Sequence, residues 1–121
     1  MQTNFGSALD PNNVLDYYPR PQLKRDSFLN LNGYWYYTIS KSKTSEDFNK
    51  KILVPFSPEA PLSEANHILQ PDEFLIYYKK IELPYDFNKG RLHLHFGAVD
   101  QVSEIYINNK FFYKNIGGYL P

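Results

Sequence analysis

His93 and His95 are two positions apart, and Asp100 follows after four intervening residues. In an extended segment, side chains two apart point the same way, so both imidazoles lie on one face. Imidazole with carboxylate is a donor set for iron, manganese or zinc. His and Asp on a solvent-facing strand are nonetheless common without a metal, and the remaining histidine, His67, lies upstream in a loop. No metal is therefore expected, and nothing else in the chain calls for a cofactor. The acids Glu59, Glu64, Asp72, Glu73, Glu82, Asp100 and Glu104 are available for proton transfer, but none has a local setting that marks it as a catalytic acid. Asn66, beside His67, carries a donor and an acceptor on one amide, which suits it to bonding a hydroxyl. An exposed polar loop tip carries such residues by default.

The elements that must position these residues read as strands. Residues 1–22 contain Pro11, Pro19 and Pro21, which disfavour regular structure and imply an extended arm, with the folded part over 23–121. Asn32-Gly33 punctuates Leu31 to Ser40, whose aromatics are strand formers. Residues 41–50 read as a solvated loop or helical turn, and Ile52 to Val54 as a brief strand ended by Pro55. The proline-rich stretch 57–72 is a long loop, of the kind that is usually functional. A strand over Phe74 to Leu83 is expected next, closed by Pro84, then a turn over Asp86 to Gly90. Leu92, Leu94 and Phe96 alternate with Arg91, His93 and His95, the clearest period of two in the chain. Val102 to Ile107 and Phe111 to Lys114 flank Asn108-Asn109, a pair that tolerates positive φ and so predicts a tight β-hairpin. No segment sustains a helical stripe. The expected class is all-β, a sandwich.

Composition narrows the function. The chain has 121 residues, 13 basic and 13 acidic side chains and no cysteine. One core is within reach at this length. The balanced, dispersed charge argues against a nucleic-acid partner, and without cysteine there are neither disulfides nor thiolate sites. The first residues lack a signal peptide's basic and apolar stretches, and Phe74 to Tyr78 is too short to span a bilayer. A cytoplasmic protein with no membrane partner is expected. Aromatic residues make up 17% of the chain, and the reading favoured for them is core and cross-strand packing over stacking on sugars.

Several segments carry a resemblance. Tyr18-Pro19-Arg20-Pro21-Gln22-Leu23-Lys24-Arg25 followed by Leu29-Asn30-Leu31-Asn32-Gly33-Tyr34-Trp35 resembles the opening of family 2 glycoside hydrolases, which include β-galactosidases, β-glucuronidases and β-mannosidases. Val54-Pro55-Phe56-Ser57-Pro58-Glu59 is similar to the "VPFSPE" turn of one branch. Tyr77 to Pro84 resembles "WYRRxFxLP", with Tyr for Trp and lysines for arginines. His95 to Asp100 matches "HFGAVD", and Ile105 to Lys110 resembles "VWVNGK" with Asn109 for Gly. Gly117-Gly118-Tyr119-Leu120-Pro121 resembles "HxGGYxPF", with Asn115 at the His position. The series covers nearly everything from Tyr18 onward, in the family's order.

The resemblance implies the front part of the family's non-catalytic sugar-binding domain, a jelly-roll β-sandwich of the galactose-binding type, incomplete at its C-terminus. Hydrolysis needs two carboxyl groups about 5 Å apart in retaining enzymes. The family places them on a later (β/α)₈ barrel of roughly 250 residues, more than this chain holds. The chain alone is then no enzyme. Its partners would be that barrel and, within the parent enzyme, carbohydrate, with Asn66 and His67 on the loop nearest the sugar. Structural roles are expected of Gly97, a backbone turn; Asp100, accepting N–H bonds that lock it; Asn108, the hairpin; and Gly117, Gly118 and Tyr119, a bend that places the ring. Two other readings stand beside this one. A free-standing carbohydrate-binding module would bind a sugar without a barrel. A cupin would use His93 and His95 with an acid, but here the acid is Asp for Glu, the glycines are misplaced and no third His follows. An incomplete sandwich leaves open strand edges, so a homo-oligomer through such an edge is expected, with Phe111 to Lys114 the first candidate.

Overall fold

Two asparagine side chains fasten the start of the chain. Asn30 Nδ2 donates to the carbonyls of Val14 (3.3 Å) and Leu15 (2.9 Å), and Asn32 Nδ2 donates to Val14 (3.2 Å). They seat Val14 in the core. The computed structural model describes residues 3–18, 22 and 25–119, so Pro19, Arg20, Pro21, Leu23 and Lys24 of the opening motif, and Leu120 and Pro121 of the last, lie outside the described residues. The expected arm contains one helical turn, α1 (Asn4–Ser7), capped by Thr3 Oγ1 accepting from Gly6 N at 3.1 Å. It precedes the first proline, Pro11, so no ring obstructs it.

The chain divides into two compact units, Met1–Glu82 and Leu83–Pro121, a division the sequence pattern did not mark. The first holds an antiparallel three-stranded sheet of β1 (Gly33–Ser40), β2 (Lys50–Val54) and β3 (Phe74–Tyr78), in the order β2-β1-β3. Gly33 opens β1 at φ +100°, a conformation L side chains avoid, and a Cβ there would meet Pro11 O at 3.3 Å. The register sets Trp35 opposite Ile52, Tyr37 opposite Tyr77 and Ile39 opposite Leu75. Opposed residues share a face, so these six form one apolar face, with Ile52 fully buried and Tyr37 nearly so. Trp35 meets Tyr77 edge to face at 6.4 Å.

β3 ends at Tyr78, five residues before the expected Leu83. Lys79 supplies the reason. Its Nζ donates to Leu31 O (3.0 Å) and Tyr34 O (3.2 Å), so a side chain takes carbonyls where a longer ladder would need backbone donors.

The second unit holds β4 (Val102–Ile107) and β5 (Lys110–Ile116), an antiparallel pair. Asn108 and Asn109 join them at φ 51° and 61°, the left-handed pair that matches strand twist. The register slips between Ile105, opposite Tyr113, and Tyr106, opposite Phe111, leaving Phe112 as the extra residue of a β-bulge. Two antiparallel sheets with little helix among the described residues make the chain all-β, as the pattern implied.

Two expectations need correction. Residues 91–96 alternate as expected but belong to no sheet, because alternation specifies which way side chains point and does not supply a partner strand. The aromatics are also less enclosed than core packing implied. Tyr106, Phe111, Phe112 and Tyr113 of the hairpin are all exposed, since a two-stranded sheet has too little area to cover both of its own faces.

Candidate functional sites

The loop from Ser57 to Glu73 is built around a buried hydroxyl. Ser63 lies in a turn of 3₁₀ helix, Pro61–Ser63, and is fully buried. Its Oγ is within bonding distance of Ala60 O (2.8 Å) and Pro58 O (3.3 Å) and accepts from Ala65 N (3.2 Å). His67 N donates to Pro58 O at 2.9 Å, which closes the first half of the loop. Glu73 Oε2 closes the second, accepting from Gln70 N (2.9 Å) and bonding His67 Nε2 (2.8 Å). These bonds, the His67 contact foremost, hold the Glu73 carboxyl below the usual carboxylate range. Glu64 and Asn66 sit at φ 68° and 47°, which turns the chain sharply on either side of Ala65. Tyr34 Oη donates to Glu64 Oε1 at 2.7 Å, and this bond raises the tyrosine's pKa.

The two loop residues singled out for substrate therefore separate. His67 is tied to Glu73 as part of the frame. Asn66 is exposed, with no hydrogen bond from its amide to any described residue, so the frame presents a free donor and acceptor outward.

Sequence reasoning passed over Lys79. Beyond its two carbonyls, its ammonium lies 5.5 Å from the Trp35 ring centroid. Burial pulls its pKa below the usual lysine value. Trp35 Nε1 donates to the same Leu31 carbonyl at 2.8 Å. The signal was present: a lysine next to a strand of aromatics is placed to turn inward.

In the second unit, the His93 and His95 rings stack at 5.9 Å with 20° between their planes, so they share a face as their spacing implied. No cluster of three metal-ligating residues occurs among the described residues. Among the described residues, no backbone N–H donates to Asp100 as expected of it. Its carboxyl rests against Gly118, where a Cβ would collide with it, while Gly117 N donates to Gln101 O at 2.7 Å. Gly117 has φ +124°, so the Gly117-Gly118 bend is present, but it sends Tyr119 into solvent, 96% exposed. The chain bends at Gly97 as expected, yet a Cβ there would meet no described atom within 4 Å and its φ is not left-handed. The expected need for glycine at that position is not seen.

A cavity of about 210 Å³ lies within this unit. Leu94, Phe96, Ile105 and Phe112 give it apolar walls, and His95, Ser103 and Asn115 give polar ones. The hairpin's share was legible in principle, since Ser103 pairs with Asn115 and Ile105 with Tyr113, two steps of one face.

The acids are mostly engaged. Asp72 pairs with Lys41 (2.6 Å), Glu82 with Lys80 (2.8 Å) and Glu104 with Lys114 (3.6 Å). Glu73 is shifted downward, opposite to what a general acid at neutral pH needs. No helix among the described residues is long and apolar enough to cross a membrane. No known family model matches the chain, and no curated protein matches it.

Proposed function

We propose that this chain is the front part of the sugar-binding jelly-roll domain of a cytoplasmic family 2 glycoside hydrolase, and that it acts without catalysing hydrolysis itself. The observation that carries this is the ordered run of family-like segments from Tyr18 to Pro121. The all-β class is in keeping with it. So is the use of several acids: a retaining glycosidase needs two carboxyl groups about 5 Å apart across an open site, whereas Asp72, Glu82 and Glu104 pair with lysines.

In the parent enzyme the domain braces the barrel and lends it the loop from Pro61 to Gln70. The Ser63 and Glu73 bonds keep that loop in one shape before substrate arrives, which reduces the ordering cost of binding. Asn66 then bonds a sugar hydroxyl.

Chromogenic β-galactosides, β-glucuronides and β-mannosides test the reading. The isolated chain should hydrolyse none of them. The native gene product that contains it should hydrolyse at least one, and Asn66→Ala should raise KM several-fold with little change in kcat. Turnover by the isolated chain that disappears on mutating one of its acids would overturn the proposal, as would a native product inactive on all three. Affinity of the isolated chain for a simple sugar would favour a free-standing binding module instead.

A further inference from the structure

We infer that Arg91–Phe96 is a self-pairing strand, and that its partner is the same segment of a second copy, antiparallel and centred on Leu94. The segment alternates like a strand, and its two imidazoles do share a face. Yet no ladder includes it, and among the described residues no backbone hydrogen bond reaches positions 91–96. Arg91 through His95 are all exposed. Extended backbone with free donors and acceptors is a template for another strand.

The sequence specifies which strand fits. Antiparallel pairing about Leu94 places Leu92 opposite Phe96 of the second copy, Leu94 opposite itself and Phe96 opposite Leu92. The same register places His93 opposite His95 on the other face. Every apolar residue meets an apolar one and every imidazole an imidazole. A slip of one residue would set leucines against histidines and mix the faces. Because the pairing is two-fold, the same contacts occur twice and the assembly closes as a dimer.

The hairpin edge at Phe111 to Lys114, the first candidate from sequence, is the weaker template. It carries the bulge at Phe112 and lysines at 110 and 114, devices that discourage edge pairing. Positions 92–96 hold no proline, bulge or permanent charge.

The other face of the paired segment is the polar one. Four imidazoles gather on it, with Arg91 of each copy on the same side. The cavity beside His95 contributes Ser103, Tyr113 and Asn115, which bring no opposing charge.

The chain has no cysteine, so a single introduced thiol can bond only to another copy. Leu94→Cys, which the register sets opposite itself, should form a covalent dimer under mild oxidation at pH 7.5 at least about tenfold faster than Phe112→Cys. Sedimentation of the unmodified chain should show a dimer at pH 7.5. A monomer at pH 7.5 and high micromolar concentration, or faster cross-linking at position 112, would overturn the inference. Neither result bears on the glycosidase reading, which rests on activity of the native product.

Discussion

At the scale of the residue, the most consequential group is Glu73. One carboxylate oxygen holds both the His67 ring and the Gln70 amide, and so fixes the second half of the loop that presents Asn66. The carboxyl's folded pKa lies below its unfolded one, so the folded state binds fewer protons in that range. Its stabilisation is complete above the unfolded value, about 4.3, and is lost as pH falls through the folded value. Protection of the Gln70 amide, its exchange relative to the intrinsic rate at the same pH, should therefore be high near neutral pH and fall as the Glu73 carboxyl is protonated. Glu73→Gln should lose that protection at neutral pH as well. An unchanged Gln70 amide in that variant would mean the loop is held by Ser63 and Pro58 alone. The loop itself and its polar residues were legible in the sequence, because three prolines and no periodicity mark residues 57–72. That His67 serves the frame while Asn66 faces outward was not. The distinction depends on Glu73, six residues from His67, and on φ values that residue type only suggests.

At the scale of the element, the hairpin was the most legible feature. Two consecutive Asn residues between β-forming runs specify a turn by local sterics alone, and the structure has both in the left-handed region. Asn109 bears the larger φ of the two, 61°, where glycine carries no Cβ penalty. Asn109→Gly should stabilise the hairpin by a few tenths to about 1 kcal/mol, read as a higher melting temperature. A lower one would show that the asparagine side chain, and not its tolerance of the conformation, holds the turn. Residues 91–96 are the opposite case. Their alternation is stronger than that of β4, yet they form no ladder, because pairing depends on a partner that local pattern does not encode. The early end of β3 has the same origin: Lys79 looks like one more exposed strand residue until the Leu31 and Tyr34 carbonyls are seen beside it.

At the scale of the whole molecule, the all-β class followed from strand-forming residues punctuated by turns, but the division at residue 82 did not, because nothing in composition changes there. Much apolar surface remains uncovered in the second unit, including Leu92, Phe112 and Ile116, the last 73% exposed. On the proposed reading, Arg91–Phe96 of the isolated chain meets its own copy, and in the parent enzyme the domain's own later strands and the barrel supply the cover. Membership of a larger glycosidase is tested most directly by the mass of the native gene product. Peptide mapping should place this sequence near the start of a polypeptide longer by roughly 250 residues or more, with a barrel that carries two glutamates. A native product that ends at Pro121 would contradict that membership.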